Sequence, residues 1–118
     1  MASMTTEALT LPGVLAEMER VAGREAAVAV ALRFGGQRIY IPKPGALTQV
    51  HALSLCAGPG ARQIAAHFGG DTLAIPLANR ELVAYLSAAG GSVRDIAARL
   101  RIHEATVRKY RRLGAMAP

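Results

Sequence analysis

The chain has 118 residues, 52% of them hydrophobic and many of those alanine, with no Trp and a net charge of +6. That length allows one compact core or two small lobes, the latter marginal alone and so expected to oligomerise, and alanine-rich helices packed on one another suit it better than a thick sheet core. No apolar run approaches the ~18 residues of a membrane span and the opening MASMTTEALTLPG lacks a signal peptide's basic and apolar regions, so no membrane partner and a cytoplasmic location are expected.

Residues 1–10 read as a flexible N-terminal segment. Leu11, Leu15, Met18 and Ala22 then recur at the spacing of one helix face, with Pro12 to start the helix and Gly23 to stop it. Arg24 to Arg33 predicts a second helix that is apolar almost all round. Such a helix needs burial on several sides, and in so small a domain a subunit interface is the simplest way to supply it. A third helix is predicted within Pro44 to Cys56, with Leu47, Val50 and Leu53 inward and Gly58 beyond its end. Pro59 to His67 predicts a fourth, anchored by Ile64 and Phe68. The single cysteine, Cys56, excludes an internal disulfide, fits a reducing compartment and reads as a small buried hydrophobe.

An internal repeat organises this region. Phe34 to Pro42 reads FGGQRIYIP, and 34 residues later Phe68 to Pro76 reads FGGDTLAIP. In each copy the glycine pair ends an alanine-rich helix, with Gly35 and Gly69 expected in the left-handed capping conformation. Ile39 to Ile41 and Leu73 to Ile75 should then run extended, because the residue before a proline is pushed out of the helical region. The two short strands can pair with each other or across a dimer axis. No Lys-Ser or Lys-Thr follows either glycine pair, so a phosphate-binding loop is not indicated.

Asn79 to Ala89 predicts a fifth helix with Asn79 as N-cap and Leu82, Tyr85 and Leu86 on its packing face, ended by Gly90 and Gly91. The stretch from Ser92 to Leu113, SVRDIAARLRIHEATVRKYRRL, has the pattern of a helix-turn-helix. Ser92 and Asp95 have capping-box spacing, and Ile96, Ala97, Leu100, Val107 and Tyr110 face inward. Ala97 is small where two steeply crossing helices must approach. Arg101 stands where a glycine is common, a cost if the backbone there is left-handed. Residues 114–118 read as a short tail.

Charge sharpens the reading. From Ala78 onward eight basic residues face three acidic ones, whereas the first 77 residues carry six against five. A neutral body with a basic C-terminal region implies one surface that meets a polyanion, for which DNA, RNA and an anionic membrane all qualify by charge alone. On the last helix Ala105, Thr106, Arg108, Lys109 and Arg112 form the outward set expected to meet base edges in the major groove. Ser92, Arg94, Arg99, Arg101, His103 and Arg111 are the candidates for phosphate. A solvated hairpin with a basic face would share the charge, but apolar spacing, small residue, cap and charge together favour double-stranded DNA.

Evidence for chemistry is thin. His51, His67 and His103 lack metal-ligand spacing, no cysteine pair accompanies them, and Glu17 and Glu19 sit two apart on a helix and so face different ways. Neither a catalytic residue, a metal nor a cofactor is expected, and the chain reads as no enzyme.

The FGG-strand-IP elements, their distance to the helix-turn-helix and the opening LPGVLAEM resemble the Mor/C family of transcription activators from Mu-like phages and prophages, over about Leu11 to Leu113. The resemblance implies a mainly α homodimer. In it residues 11–77 are a helical dimerisation domain with one or two short strands, and 78–113 are the helix-turn-helix DNA-binding domain. It further implies binding to an inverted repeat, recruitment of host RNA polymerase, and a strand element, Gly69, Gly70, Asp71 and Thr72, near DNA. Ala74 departs from the family's usual tyrosine, which Tyr40 keeps in the first copy. A repressor or architectural protein of the same fold, or an interaction module whose basic tail meets an acidic partner, are the alternatives.

Overall fold

A computed structural model describes residues 10–116, with side chains as far as Leu113. The expected N-terminal segment, apart from Thr10, and the last two residues of the expected tail lie outside the described residues. Two compact units result, Leu11–Leu77 and the segment from Ala78 onward.

The first unit begins with α1, Val14–Ala22, which buries Leu15 and Met18, while Leu11 is buried just ahead of it. Gly23 alone links it to α2, Arg24–Phe34, where Ala26, Ala27, Val28, Val30, Ala31 and Phe34 are all buried. The cover for this apolar helix comes from within the chain. α2 packs on α1 and on α3, Ala52–Ala57, and α1 also packs on α4, Gly60–Phe68. Its burial therefore needs no second subunit, contrary to the expectation from composition.

The predicted third helix is replaced by a 3-10 turn at Pro44–Ala46 and the short α3. The carbonyl of Thr48 accepts from His51 N at 3.2 Å and from Ser54 Oγ at 2.6 Å, forming a turn where the helix was expected. His51 then caps α3 through Nδ1, which accepts from Leu53 N at 3.0 Å. Only Leu53 of the predicted inward set is buried: Leu47 is half-buried and Val50 is 79% exposed.

The repeat becomes a pair of interlocked halves. β1, Arg38–Tyr40, and β2, Thr72–Ala74, pair antiparallel within the chain, with Ile39 opposite Leu73. These two residues are 34 apart, as are the repeats, so the strands are related by a local twofold through that pair. Gly36 N donates to Ile75 O at 2.7 Å, and its counterpart Gly70 N donates to Ile41 O at the same distance. Ile41 N reaches Asp71 O at 2.9 Å, and Ile75 N reaches Gln37 O at 2.8 Å. Buried positions repeat likewise: Ala27 with Ala61, Val30 with Ile64, Ala31 with Ala65, Phe34 with Phe68, Ile41 with Ile75.

The glycine pair works differently from the sequence expectation. Gly35 and Gly69 have φ −52° and −56°, while Gly36 and Gly70 take the positive values, 84° and 93°. The first glycine of each pair is required by space, since a Cβ on Gly35 would lie 2.7 Å from the carbonyl oxygen of Ala31. One on Gly69 would strike the equivalent oxygen of Ala65. The second glycine supplies the left-handed turn that a Cβ disfavours.

Polar groups join the elements at the surface of this unit. Glu17 of α1 pairs with His67 Nε2 of α4 at 2.5 Å and with Arg20 at 3.7 Å, and Glu19 turns instead to Arg24 at 2.6 Å. The His67 hydrogen bond holds the Glu17 carboxyl below its ordinary pKa. Cys56 is half-buried, and its Sγ donates to the carbonyl of Ala29 at 3.0 Å; burial pushes the thiol pKa up.

The second unit comprises α5, Asn79–Ala88, α6, Val93–Leu100, and α7, Glu104–Met116, each packed on the other two. Ala78, Leu82, Val83, Leu86, Ile96, Ala97 and Val107 form its core. Asn79 is the first helical residue rather than the N-cap; Ala78 holds that place and its carbonyl accepts from Leu82 N at 2.8 Å. The final helix also runs to Met116, three residues past the expected boundary at Leu113. Among the described residues no helix is long and apolar enough to cross a membrane.

Candidate nucleic-acid interface

Two helices and a tight turn build the site. Ser92 caps α6 by accepting from Asp95 N at 3.1 Å, as the spacing predicted. α6 stops at Arg101, whose φ of 58° and ψ of 46° place it in the left-handed region. The amides of Arg101 and Ile102 both donate to Ala97 O. The chain thereby reverses within a few residues, and His103 O accepts from Thr106 N at 3.0 Å and Val107 N at 3.2 Å to open α7.

Packing sets the outer face. Ile96, Ala97 and Val107 are buried and Leu100 and Tyr110 half-buried, so the two helices meet along the predicted apolar seam. Ala97 allows the close approach there. Ala105, Arg108, Lys109 and Arg112 are left exposed on α7, while Thr106 is half-buried. Ser92, Arg94, Arg99, Arg101 and His103 are exposed on α6 and at the turn. Among the described residues the side chains of Arg94, Arg99, Arg101, Lys109 and Arg112 make no hydrogen bond or ion pair.

Arg111 departs from the expected phosphate set. Its Nε donates to Ser87 Oγ at 2.9 Å and its Nη2 donates to Gly91 O at 2.6 Å, tying α7 to the end of α5. Four residues after the buried Val107, it lies on the inner side of the helix, and that spacing was the available signal. Glu104 joins this face although charge counting assigns it no part there. Its carboxylate accepts from Arg108 Nη2 at 3.2 Å, the favourable acid-first i,i+4 order at a helix start. Arg108 is thus held along α7 while 57% of its side chain stays exposed.

The strand element Gly69, Gly70, Asp71 and Thr72 lies in the first unit, at the junction of α4 and β2. The amides of Gly69, Gly70 and Asp71 donate to Ala65, Ile41 and Phe68 respectively. Among the described residues no three His, Cys, Asp or Glu side chains gather as a metal site would require.

Residues 76–113 match the family described as Homeodomain-like domain. No curated protein and no solved structure matches the chain. A mainly helical chain therefore ends in a homeodomain-like domain, a DNA-binding helix-turn-helix fold, over residues 76–113.

Proposed function

We propose that the chain is a sequence-specific, non-enzymatic transcription regulator whose α7 enters the major groove of double-stranded DNA. The observation that carries this reading is the set of exposed cations Arg94, Arg99, Arg101, Lys109 and Arg112, partnerless among the described residues, around a homeodomain-like helix-turn-helix. Arg108, Lys109 and Arg112, with Ala105 and Thr106, read base edges; Arg94, Arg99 and Arg101, with Ser92 and His103, contact phosphate. Gly69 to Thr72 are left out of the contact surface. Three of their amides are already bonded within the chain and Asp71 is an anion.

The resemblance to Mor/C activators supports the finer reading, a homodimer that binds an inverted repeat and recruits RNA polymerase. A promoter-fused reporter separates it from a repressor, since output rises with an activator and falls with a repressor. A second reading is that one chain occupies one half-site. The in-chain pairing of β1 with β2 favours it, because the twofold contact is satisfied without a second copy.

Selection from random duplexes, with sequencing of the bound fraction, tests all of this at once. We expect an enriched motif that disappears when Arg108 and Lys109 are both changed to alanine. An inverted repeat selects the homodimer and a single half-site the one-chain reading. No enrichment at any salt concentration removes the operator-binding reading and brings an acidic protein partner to the front.

A further inference from the structure

Seven described residues have positive φ, and six of them are glycines: Gly13, Gly23, Gly36, Gly58, Gly70 and Gly90. The seventh is Arg101, at the turn of the helix-turn-helix. A residue with a Cβ pays for this conformation in stability, and a long unbranched side chain lacks the local hydrogen bonds with which Asn or Asp offset the cost. Arg101 has no such compensation among the described residues. Its side chain is exposed and makes no hydrogen bond or ion pair, and the turn's two bonds to Ala97 O come from backbone amides that glycine would supply equally well. The fold therefore gains nothing from the guanidinium and would be better served by glycine.

Strain that the surroundings do not need points to use of the side chain elsewhere. Resting on the DNA-binding reading above, we infer that Arg101 is a phosphate clamp retained against folding stability: the left-handed turn projects its guanidinium from the junction of α6 and α7 onto the DNA backbone. A phosphate is the matching partner for a free planar fork of donors, and it carries no base identity. Arg101 then contributes equally to binding of every sequence, and stability and affinity oppose each other at this one position.

The test compares the full chain with Arg101→Gly and Arg101→Lys, by thermal denaturation and by titration across a salt series. Two duplexes serve as probes, one recovered by selection and one of random sequence with the same length. Arg101→Gly is expected to raise the melting midpoint by about 4–8 °C. It should weaken binding to both duplexes alike, roughly eightfold near 0.1 M salt, and lower the salt slope by about 0.9, one phosphate's share of counterion release. Arg101→Lys should keep both the midpoint and the slope. Unchanged affinity and slope in Arg101→Gly, with wild-type binding intact, overturns the clamp and leaves the DNA reading standing. A loss confined to the selected duplex also overturns it, by making Arg101 a base reader. Absence of wild-type binding to either duplex removes the DNA reading and the clamp with it.

Discussion

The two units of this chain use their residues in opposite ways. From Leu11 to Leu77 the devices that join the halves occur twice: two glycine pairs, two short strands, two amide-to-carbonyl clasps and matching buried side chains 34 residues apart. From Ala78 onward the devices are single, and much of the charge is not engaged in holding the fold. A repeated element whose copies bond to one another has its polar groups satisfied internally. A helix-turn-helix that, among the described residues, leaves most of its cations unpaired keeps them available to a polyanion. The difference separates stability from binding along the sequence, and substitutions in the two units should separate accordingly.

The largest expected effect tests the equivalence of the halves. Ile41→Ala and Ile75→Ala each remove a fully buried side chain at matching positions, and each should cost about 2–5 kcal/mol. Urea denaturation should give nearly equal losses; a large inequality would show that the halves share geometry but not energetic weight. Next comes Arg111→Ala in the second unit. Losing the bonds to Ser87 and Gly91 should cost about 1–3 kcal/mol, yet leave the salt slope of DNA binding unchanged because this arginine is turned inward. A reduced slope would return it to the phosphate set.

The smallest effect is electrostatic. Glu17 has a pKa lowered by its hydrogen bond to His67, so the ionised carboxylate is favoured in the folded state. Its contribution is present above the unfolded-state pKa and is lost as pH falls through the lower folded value. The first unit should therefore lose stability on acidification, and His67→Gln should flatten that acid limb in a pH series of urea midpoints. An unaltered limb would assign the acid sensitivity to other carboxylates.

Much of this arrangement was legible in the residues, and the exceptions have identifiable causes. The repeat marked where helices end and strands begin, because Gly-Gly permits the turn that closes a helix and the proline keeps the preceding isoleucine extended. Which glycine of each pair turns was not legible, since space and conformation both demand glycine and only the folded geometry separates the two demands. The helix predicted within Pro44 to Cys56 is confined to Ala52–Ala57, because Thr48 and His51 supply competing turn bonds that apolar spacing does not register. At the candidate site the apolar seam, the Ser92 cap and the exposed arginines followed from periodicity. Arg111 did not, because its charge was weighed more heavily than its place four residues after Val107.

The reciprocal clasp between the halves also bears on how the first unit comes apart. Gly36 and Ile75 exchange bonds with partners in the other copy, as do Gly70 and Ile41. Among the described residues each strand is the other's only sheet partner. Release of one half thus strips the other of its acceptors and leaves a bare strand edge, a state that water or a stray chain must satisfy. Partial unfolding of this unit has no comfortable resting point, so the interlocked repeat makes its melting cooperative, and each half needs the other although Tyr40 in one stands where Ala74 stands in the other.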